Sequence, residues 1–132
     1  MNNILLLQRA QNAALRAYAP YSHFRVGAAV LLSNGEIIEG NNQENSSFGL
    51  TMCAERVALN YAKSLYPDQK VVALALSGLD SKDVVAPCGA CRQVFSEIAL
   101  RQGSYFKVIM GSQTQIIEKN SSELLPMVFE LP

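Results

Sequence analysis

The sequence holds three cysteines and a single histidine. Cys88 and Cys91 stand in Pro87-Cys88-Gly89-Ala90-Cys91. At about 3.6 residues per helical turn, a spacing of three returns side chains to nearly one face. Two sulfurs so placed can chelate one ion. Spacing alone also admits a redox pair, half of a structural zinc site, or neither. Cys53 lies in Met52-Cys53-Ala54-Glu55-Arg56, where a polar loop gives way to a helical stretch. A cysteine there also fits plain core packing. All three occupy predicted helix starts, and a helix N-terminus carries about half a positive charge that lowers a thiol's pKa. Two such termini meeting head-on would gather three thiolates around one cation. One tetrahedral corner would remain for water, the pattern of a catalytic zinc.

Glu55 then stands where a carboxylate can take a proton from water whose pKa zinc lowers to about 7 and pass it on. Residues two apart on a helix diverge by about 200°. Cys53 and Glu55 can therefore share a site only if Cys53 sits at or near the cap. The plain alternative is that Glu55 complements the helix dipole. Arg56 is a cation in a first helical turn, electrostatically misplaced unless an anion is near. Three thiolates on a dication leave one net negative charge, which Arg56 can offset, and a donor to sulfur also tunes a metal. Otherwise Arg56 reaches solvent. Arg92, directly after Cys91, raises the same question.

The elements that must position these groups can be read from periodicity. Asn3 to Ala19 has apolar residues at helical spacing (Leu6, Ala10, Ala13, Ala17) and is stopped by Pro20. Arg25 to Leu32, the turn Ser33-Asn34-Gly35 and Glu36 to Glu39 form a hairpin. Asn41 to Gly49 is polar and loop-like. Thr51 or Met52 to Leu65 is the second helix, and the apolar run Val71 to Leu76 is a strand covered on both faces. Cys88 to Arg101 is the third helix, with Gly103 past its end. Tyr105 to Met110 and Gln115 to Ile117 are strands, and Ser121 to Leu125 is a short last helix. Helices separated by strands predict an α/β protein: a mixed sheet with helices on its faces.

Composition narrows the function classes. A chain of 132 residues, 49% hydrophobic and 17% charged, predicts one domain spanning 1–132. Lys plus Arg and Asp plus Glu are 11 each. Without a basic excess, a nucleic-acid partner is not expected. No apolar run approaches the roughly 20 residues of a membrane span. Ile4 to Leu7 is only a short apolar patch with no basic leader. An odd cysteine count speaks against a closed disulfide framework. A cytoplasmic protein is expected.

Five segments in order resemble the cytidine deaminase family, in its small three-cysteine, homotetrameric branch. They are Ala19-Pro20-Tyr21-Ser22-His23-Phe24-Arg25-Val26-Gly27-Ala28-Ala29, Gly40-Asn41-Asn42-Gln43-Glu44-Asn45, Cys53-Ala54-Glu55-Arg56, Pro87-Cys88-Gly89-Ala90-Cys91-Arg92-Gln93 and Glu123-Leu124-Leu125-Pro126. The zinc signature of this class has a leading His or Cys and a Glu that is not a ligand. The resemblance implies a three-layer α/β/α sandwich with a mixed five-stranded sheet. It implies hydrolytic deamination of cytidine and 2′-deoxycytidine to the uridines in pyrimidine salvage, with ammonia released. By similarity Cys53, Cys88 and Cys91 hold one zinc per chain, and Glu55 carries the proton. Backbone groups at Ala54 and Cys88 hold the base edge. Asn42 and Glu44 match the positions that hold the ribose 3′-hydroxyl, Phe24 matches an aromatic against the nucleoside, and Phe129 matches a C-terminal aromatic reaching a neighbouring subunit's site. His23 is not expected to bind zinc. The chain departs from the family at Phe48, where a tyrosine is frequent, and at Gln43, where an aliphatic residue is usual.

Two other readings keep the same cysteines. One is a deaminase of another base or of a nucleotide, against which Asn42, Glu44 and Phe24 argue. The other is a zinc-stabilised binding module. Structural zinc normally has four protein ligands, so His23 would have to be the fourth.

Overall fold

A computed structural model describes residues 2–132 of the chain. Helix α1 (Asn3–Ala14) leads into strands β1 (Val26–Leu32) and β2 (Ile37–Asn41). Helix α2 (Ala54–Leu65), strand β3 (Val71–Gly78) and helix α3 (Gly89–Gln102) follow, then strands β4 (Lys107–Gly111) and β5 (Ile116–Asn120). Single 3-10 turns cover Phe48–Leu50 and Ser121–Leu124. Five strands make one sheet in the order β2-β1-β3-β4-β5. β3 and β4 are parallel and the other neighbours antiparallel, so the sheet is mixed, as expected.

Alternation along the strands divides the core into two layers. Val26, Ala28, Val30 and Leu32 of β1 pack with Leu74 and Leu76 of β3, Val108 and Met110 of β4, and the inner faces of α2 and α3. On the other side Ala29, Ala73, Ala75 and Ile109 meet Leu6, Leu7 and Ala10 of α1. The result is the expected three-layer α/β/α arrangement. The α1 face is lined by small residues, so this helix lies close to the sheet. A Cβ on Gly27 would fall 1.9 Å from the Ala10 carbonyl oxygen and 2.5 Å from the Ala14 nitrogen. On the opposite face a Cβ on Gly40 would lie 2.5 Å from the Ala58 nitrogen and 2.8 Å from the Ala54 oxygen.

The sheet topology places the starts of both cysteine-capped helices at one end. β2 and β3 each run antiparallel to β1 and therefore run in the same direction. α2 follows β2 and α3 follows β3, so both helices start beyond the same edge of the sheet. β1 begins there too, because Val26 pairs with Gly78 and Gly27 with Asn41.

Several boundaries differ from the sequence reading. α1 ends at Ala14 rather than Ala19. Arg16 and Ala17 donate to carbonyls three residues back, a 3-10 tightening, and Tyr18 then donates to the Asn42 carbonyl and accepts from the Glu44 nitrogen. Backbone pairing with a distant segment takes these residues from the helix. β2 runs through Asn41, and Gln43 bridges Met52, so the expected 41–49 loop is partly extended. β5 reaches Asn120. Among the described residues no helix is long and apolar enough to cross a membrane.

Candidate active site

Cys53 is the N-cap of α2, with extended backbone (φ −71°, ψ 153°). Cys88 caps α3 in the same conformation (φ −68°, ψ 166°), and Cys91 lies in its first turn. The cap position resolves the geometric difficulty of Cys53 and Glu55. Cys53 is off the helix and its side chain does not follow helical periodicity. The Cys53 and Cys88 sulfurs are 3.7 Å apart, and Cys88 and Cys91 3.5 Å. All three lie within 4.8 Å of one another. A disulfide needs about 2.05 Å between sulfurs, so these are free thiols. Three sulfurs held at about 2.3 Å by a tetrahedral zinc would stand about 3.8 Å from each other. The donor set and spacing fit that ion, and the cluster opens outward at Cys88, which is exposed.

The electrostatics fit as well. The α2 N-cap makes no side-chain hydrogen bond, and the α3 N-cap has only a sulfur accepting from the Cys91 nitrogen at 3.5 Å. Both helix termini therefore still aim partial positive charge at the cluster. The Arg56 guanidinium donates through Nη2 to the Cys53 sulfur at 3.3 Å, and its Nη1 reaches the Met52 sulfur at 3.9 Å. Its Nε is buried without a partner. A cation so placed needs negative charge beside it, which thiolates supply. With sulfurs alone present, Cys53 takes that charge. The Cys91 hydrogen bond and, against burial, Arg56 pull its thiol down to about 5. Cys91, holding that bond and buried beside Glu55, is pushed up.

Glu55 is 4% exposed. Burial, reinforced by the neighbouring Cys53 charge, pushes its carboxyl up to about 7. A carboxylate serving only the helix dipole would be solvated, so that plainer reading of Glu55 does not hold. Arg92 spends its donors on backbone carbonyls rather than on sulfur. Its Nε donates to the Pro87 carbonyl at 2.8 Å and its Nη1 to the Leu124 carbonyl at 3.0 Å, tying the Cys88 loop to the C-terminal turn.

The remaining predicted residues sit around the same sheet end, with one exception. Asn42 is buried; its Oδ1 accepts from the Val26 nitrogen and its Nδ2 donates to the Phe24 carbonyl, both at 2.9 Å. Glu44 accepts at Oε1 from the Tyr21 and Ser22 nitrogens, each at 3.1 Å, and at Oε2 from the Ser22 hydroxyl. Phe24 is half-buried against the core, its ring 3.4 Å from the Cβ position of Gly78. Ala54 is fully buried in the first turn of α2. Phe129 is the exception, standing 71% exposed in the C-terminal segment. His23 adopts a left-handed conformation (φ 56°) within the Tyr21–Phe24 turn.

Sequence reading missed Asp80. Its Oδ2 accepts from the Arg25 nitrogen at 2.8 Å and from Nε at 3.0 Å, and its Oδ1 from Nη2 at 2.9 Å. This bidentate pair fastens the loop leading to Cys88 onto the start of β1. A lone aspartate in a polar loop carries no sequence signal of its partner.

Comparison with known proteins agrees with this geometry. The family described as "Cytidine and deoxycytidylate deaminase zinc-binding region" matches residues 2–107. A cytidine deaminase of Halalkalibacterium halodurans is 47% identical, covering 98% of this chain and 95% of its own length. A probable cytidine deaminase of Dictyostelium discoideum is 41% identical over 93% of this chain and 80% of its own. The crystal structure of cytidine deaminase from Burkholderia pseudomallei superposes with a TM-score of 0.87 at 38% identity, over 98% of this chain and 100% of that one. With four-fifths of its length inside the family match and relatives aligned almost end to end, this chain belongs to the cytidine and deoxycytidylate deaminase family.

Proposed function

We propose that residues 1–132 form a single catalytic domain that deaminates cytidine and 2′-deoxycytidine. Water is added and ammonia lost, giving uridine and 2′-deoxyuridine, in pyrimidine salvage. The observation that carries this reading is the buried carboxyl of Glu55, in the first turn of α2, beside three sulfurs that converge from the starts of α2 and α3. Cys53, Cys88 and Cys91 would hold one zinc. Bound there, zinc supplies a water acidified to a pKa of about 7.

Glu55 moves the protons. Burial raises its carboxyl from the ordinary carboxylate range, which suits a group that takes a proton and returns it. It takes one proton from the attacking water and delivers it to the ring nitrogen. It then takes the second proton from the oxygen now bonded to the ring carbon and delivers it to the amine, which leaves as ammonia while the carbonyl forms. Arg56 offsets the sulfur charge. Backbone groups of Ala54 and Cys88 hold the base edge, and the Phe24 ring forms an apolar wall against it.

A count of unused hydrogen-bonding capacity supports a sugar hydroxyl as the anchor. An amide has two N–H donors and a carboxylate about four acceptor sites. Asn42 has spent one donor, on Phe24, and Glu44 three acceptors, on Tyr21 and Ser22. One N–H and one acceptor site remain. That pair suits a single hydroxyl, which accepts the first and donates to the second. A free base lacks this group, so the nucleoside reading is preferred over a base deaminase.

Three unpaired thiols suit a reducing compartment, and we place the protein in the cytoplasm. Phe48, Leu50, Met127, Phe129 and Leu131 are all exposed. Apolar side chains gathered in two such short segments favour self-association, here a homotetramer in which Phe129 completes a neighbour's site. Phe48 brings no hydroxyl to that arrangement.

The test is Glu55→Gln. Conversion of cytidine, followed by ultraviolet absorbance, should fall at least about a thousandfold with zinc retained. Undiminished turnover would end this reading.

A further inference from the structure

The Ser22 hydroxyl stands at the centre of the Tyr21–Phe24 turn and is engaged on both sides. It donates to Glu44 Oε2 and accepts from the Phe24 nitrogen at 3.0 Å. The Phe24 carbonyl in turn accepts from Asn42 Nδ2. One hydroxyl therefore links three residues assigned above to the substrate. The left-handed His23 makes this possible, since it folds the chain so that the hydroxyl returns over the nitrogen two residues on.

This bond determines what Glu44 can offer. Oε1 has both acceptor sites filled by backbone N–H groups. Oε2 would have two free, and Ser22 fills one of them. The hydroxyl thus fixes the carboxylate plane and leaves one acceptor direction. Its only proton is committed to Glu44, so it cannot itself donate to a ligand. The same bond is the largest influence holding the Glu44 carboxyl below its ordinary range, which keeps it an acceptor.

We propose that Ser22 is a positioning residue that aims the last acceptor site of Glu44 at the 3′-hydroxyl, and so sets the preference for nucleosides carrying that group. The inference rests on the nucleoside deaminase reading above. It assigns to Ser22 a share of sugar specificity, exerted through Glu44 and with no contact to the base chemistry.

Comparing 2′-deoxycytidine with 2′,3′-dideoxycytidine tests it, using zinc-loaded Ser22→Ala and Ser22→Thr. In the unaltered enzyme kcat/KM should favour 2′-deoxycytidine. In Ser22→Ala that preference should shrink about tenfold, the size expected for loss of a hydrogen bond to a charged group. The loss should fall on KM for 2′-deoxycytidine, with kcat within about twofold and dideoxycytidine kinetics little changed. Ser22→Thr, which keeps the hydroxyl, should restore the preference. If Ser22→Ala does not fold, Ser22→Cys takes its place: its volume is similar and its thiol a weak donor, so the preference should again shrink. Equal losses on both substrates, or an unchanged preference, would overturn the proposal while the deaminase reading stands. An unaltered enzyme that converts neither nucleoside would overturn both.

Discussion

Helices α1, α2 and α3 begin differently, and the contrast separates stability from chemistry. α1 starts on Asn2, whose side chain accepts from the Leu5 nitrogen at 2.8 Å. That is an ordinary cap, of a kind contributing about 1 kcal/mol. α2 and α3 start on Cys53, which caps nothing, and Cys88, which accepts only weakly through sulfur. Local stability has been left unused at two termini, and both point their unsatisfied N–H groups at one cluster of thiols. The layers repeat the division. The α1 face is closed by Leu6, Leu7 and Ala10 against Ala29, Ala73, Ala75 and Ile109, and its polar contacts, Arg9 and Arg16 to Glu39 and Asn41 to the Ala13 carbonyl, only fasten the helix to the sheet. The α2 and α3 face holds the sulfurs, Glu55 and Arg56 in addition to its core.

Exchanging cap chemistry gives the largest expected effect. Cys53→Ser should abolish turnover, by at least about a thousandfold, and release zinc. Measured by urea unfolding without metal, the same variant should be as stable as the parent or more so, because serine is a strong N-cap. Asn2→Ala should do the reverse: a loss of about 1 kcal/mol with turnover intact. A Cys53→Ser variant that unfolds without metal while Asn2→Ala disturbs turnover would erase the contrast.

The two close glycines sharpen it next. Gly27→Ala and Gly40→Ala each insert one methyl against a helix backbone, and each should cost about 3 kcal/mol, at the upper end for overpacking. Only Gly40→Ala presses on Ala54 and Ala58, in the helix capped by Cys53. Folded Gly40→Ala should therefore bind zinc more weakly, whereas folded Gly27→Ala should bind it normally. Zinc titration at low temperature would show the difference.

A smaller effect distinguishes the site end by pH. The Arg25 hydrogen bonds pull the Asp80 carboxyl down from 3.8 to about 2. A carboxyl depressed on folding stabilises above its unfolded value and ceases to do so as pH falls through its folded one. The stability difference between the parent and Asp80→Asn should accordingly be constant above about pH 5 and shrink between pH 4 and 2. Acid unfolding of the two proteins checks this.

How much of this was legible beforehand depended on the kind of signal. The cysteines at helix starts could be read because proline, glycine and a polar loop mark where helices begin. A mixed sheet with helices on its faces could be read from helices alternating with strands and from the buried run Val71 to Leu76, while the three-layer order came from the family resemblance. The end of α1 could not: Leu15 to Ala19 has good helical composition, and only contact with Asn42 and Glu44 diverts it. The length of β5 was hidden because Glu118, Lys119 and Asn120 lie on an exposed edge, where no apolar period is needed. Within the site, residue types announced a metal and a proton carrier. Burial of Glu55, the Arg25–Asp80 pair and the Ser22 link to Glu44 arise from tertiary approach, which spacing does not encode.

X-ray absorption at the zinc edge, on protein refolded with equimolar zinc, addresses the central claim directly. One zinc per chain with three sulfurs at about 2.3 Å and a single light atom at about 2.0 Å, the light atom exchanging for an added anion, is the predicted result. Four protein donors around the metal, or a zinc signal unchanged in Cys88→Ala, would contradict it.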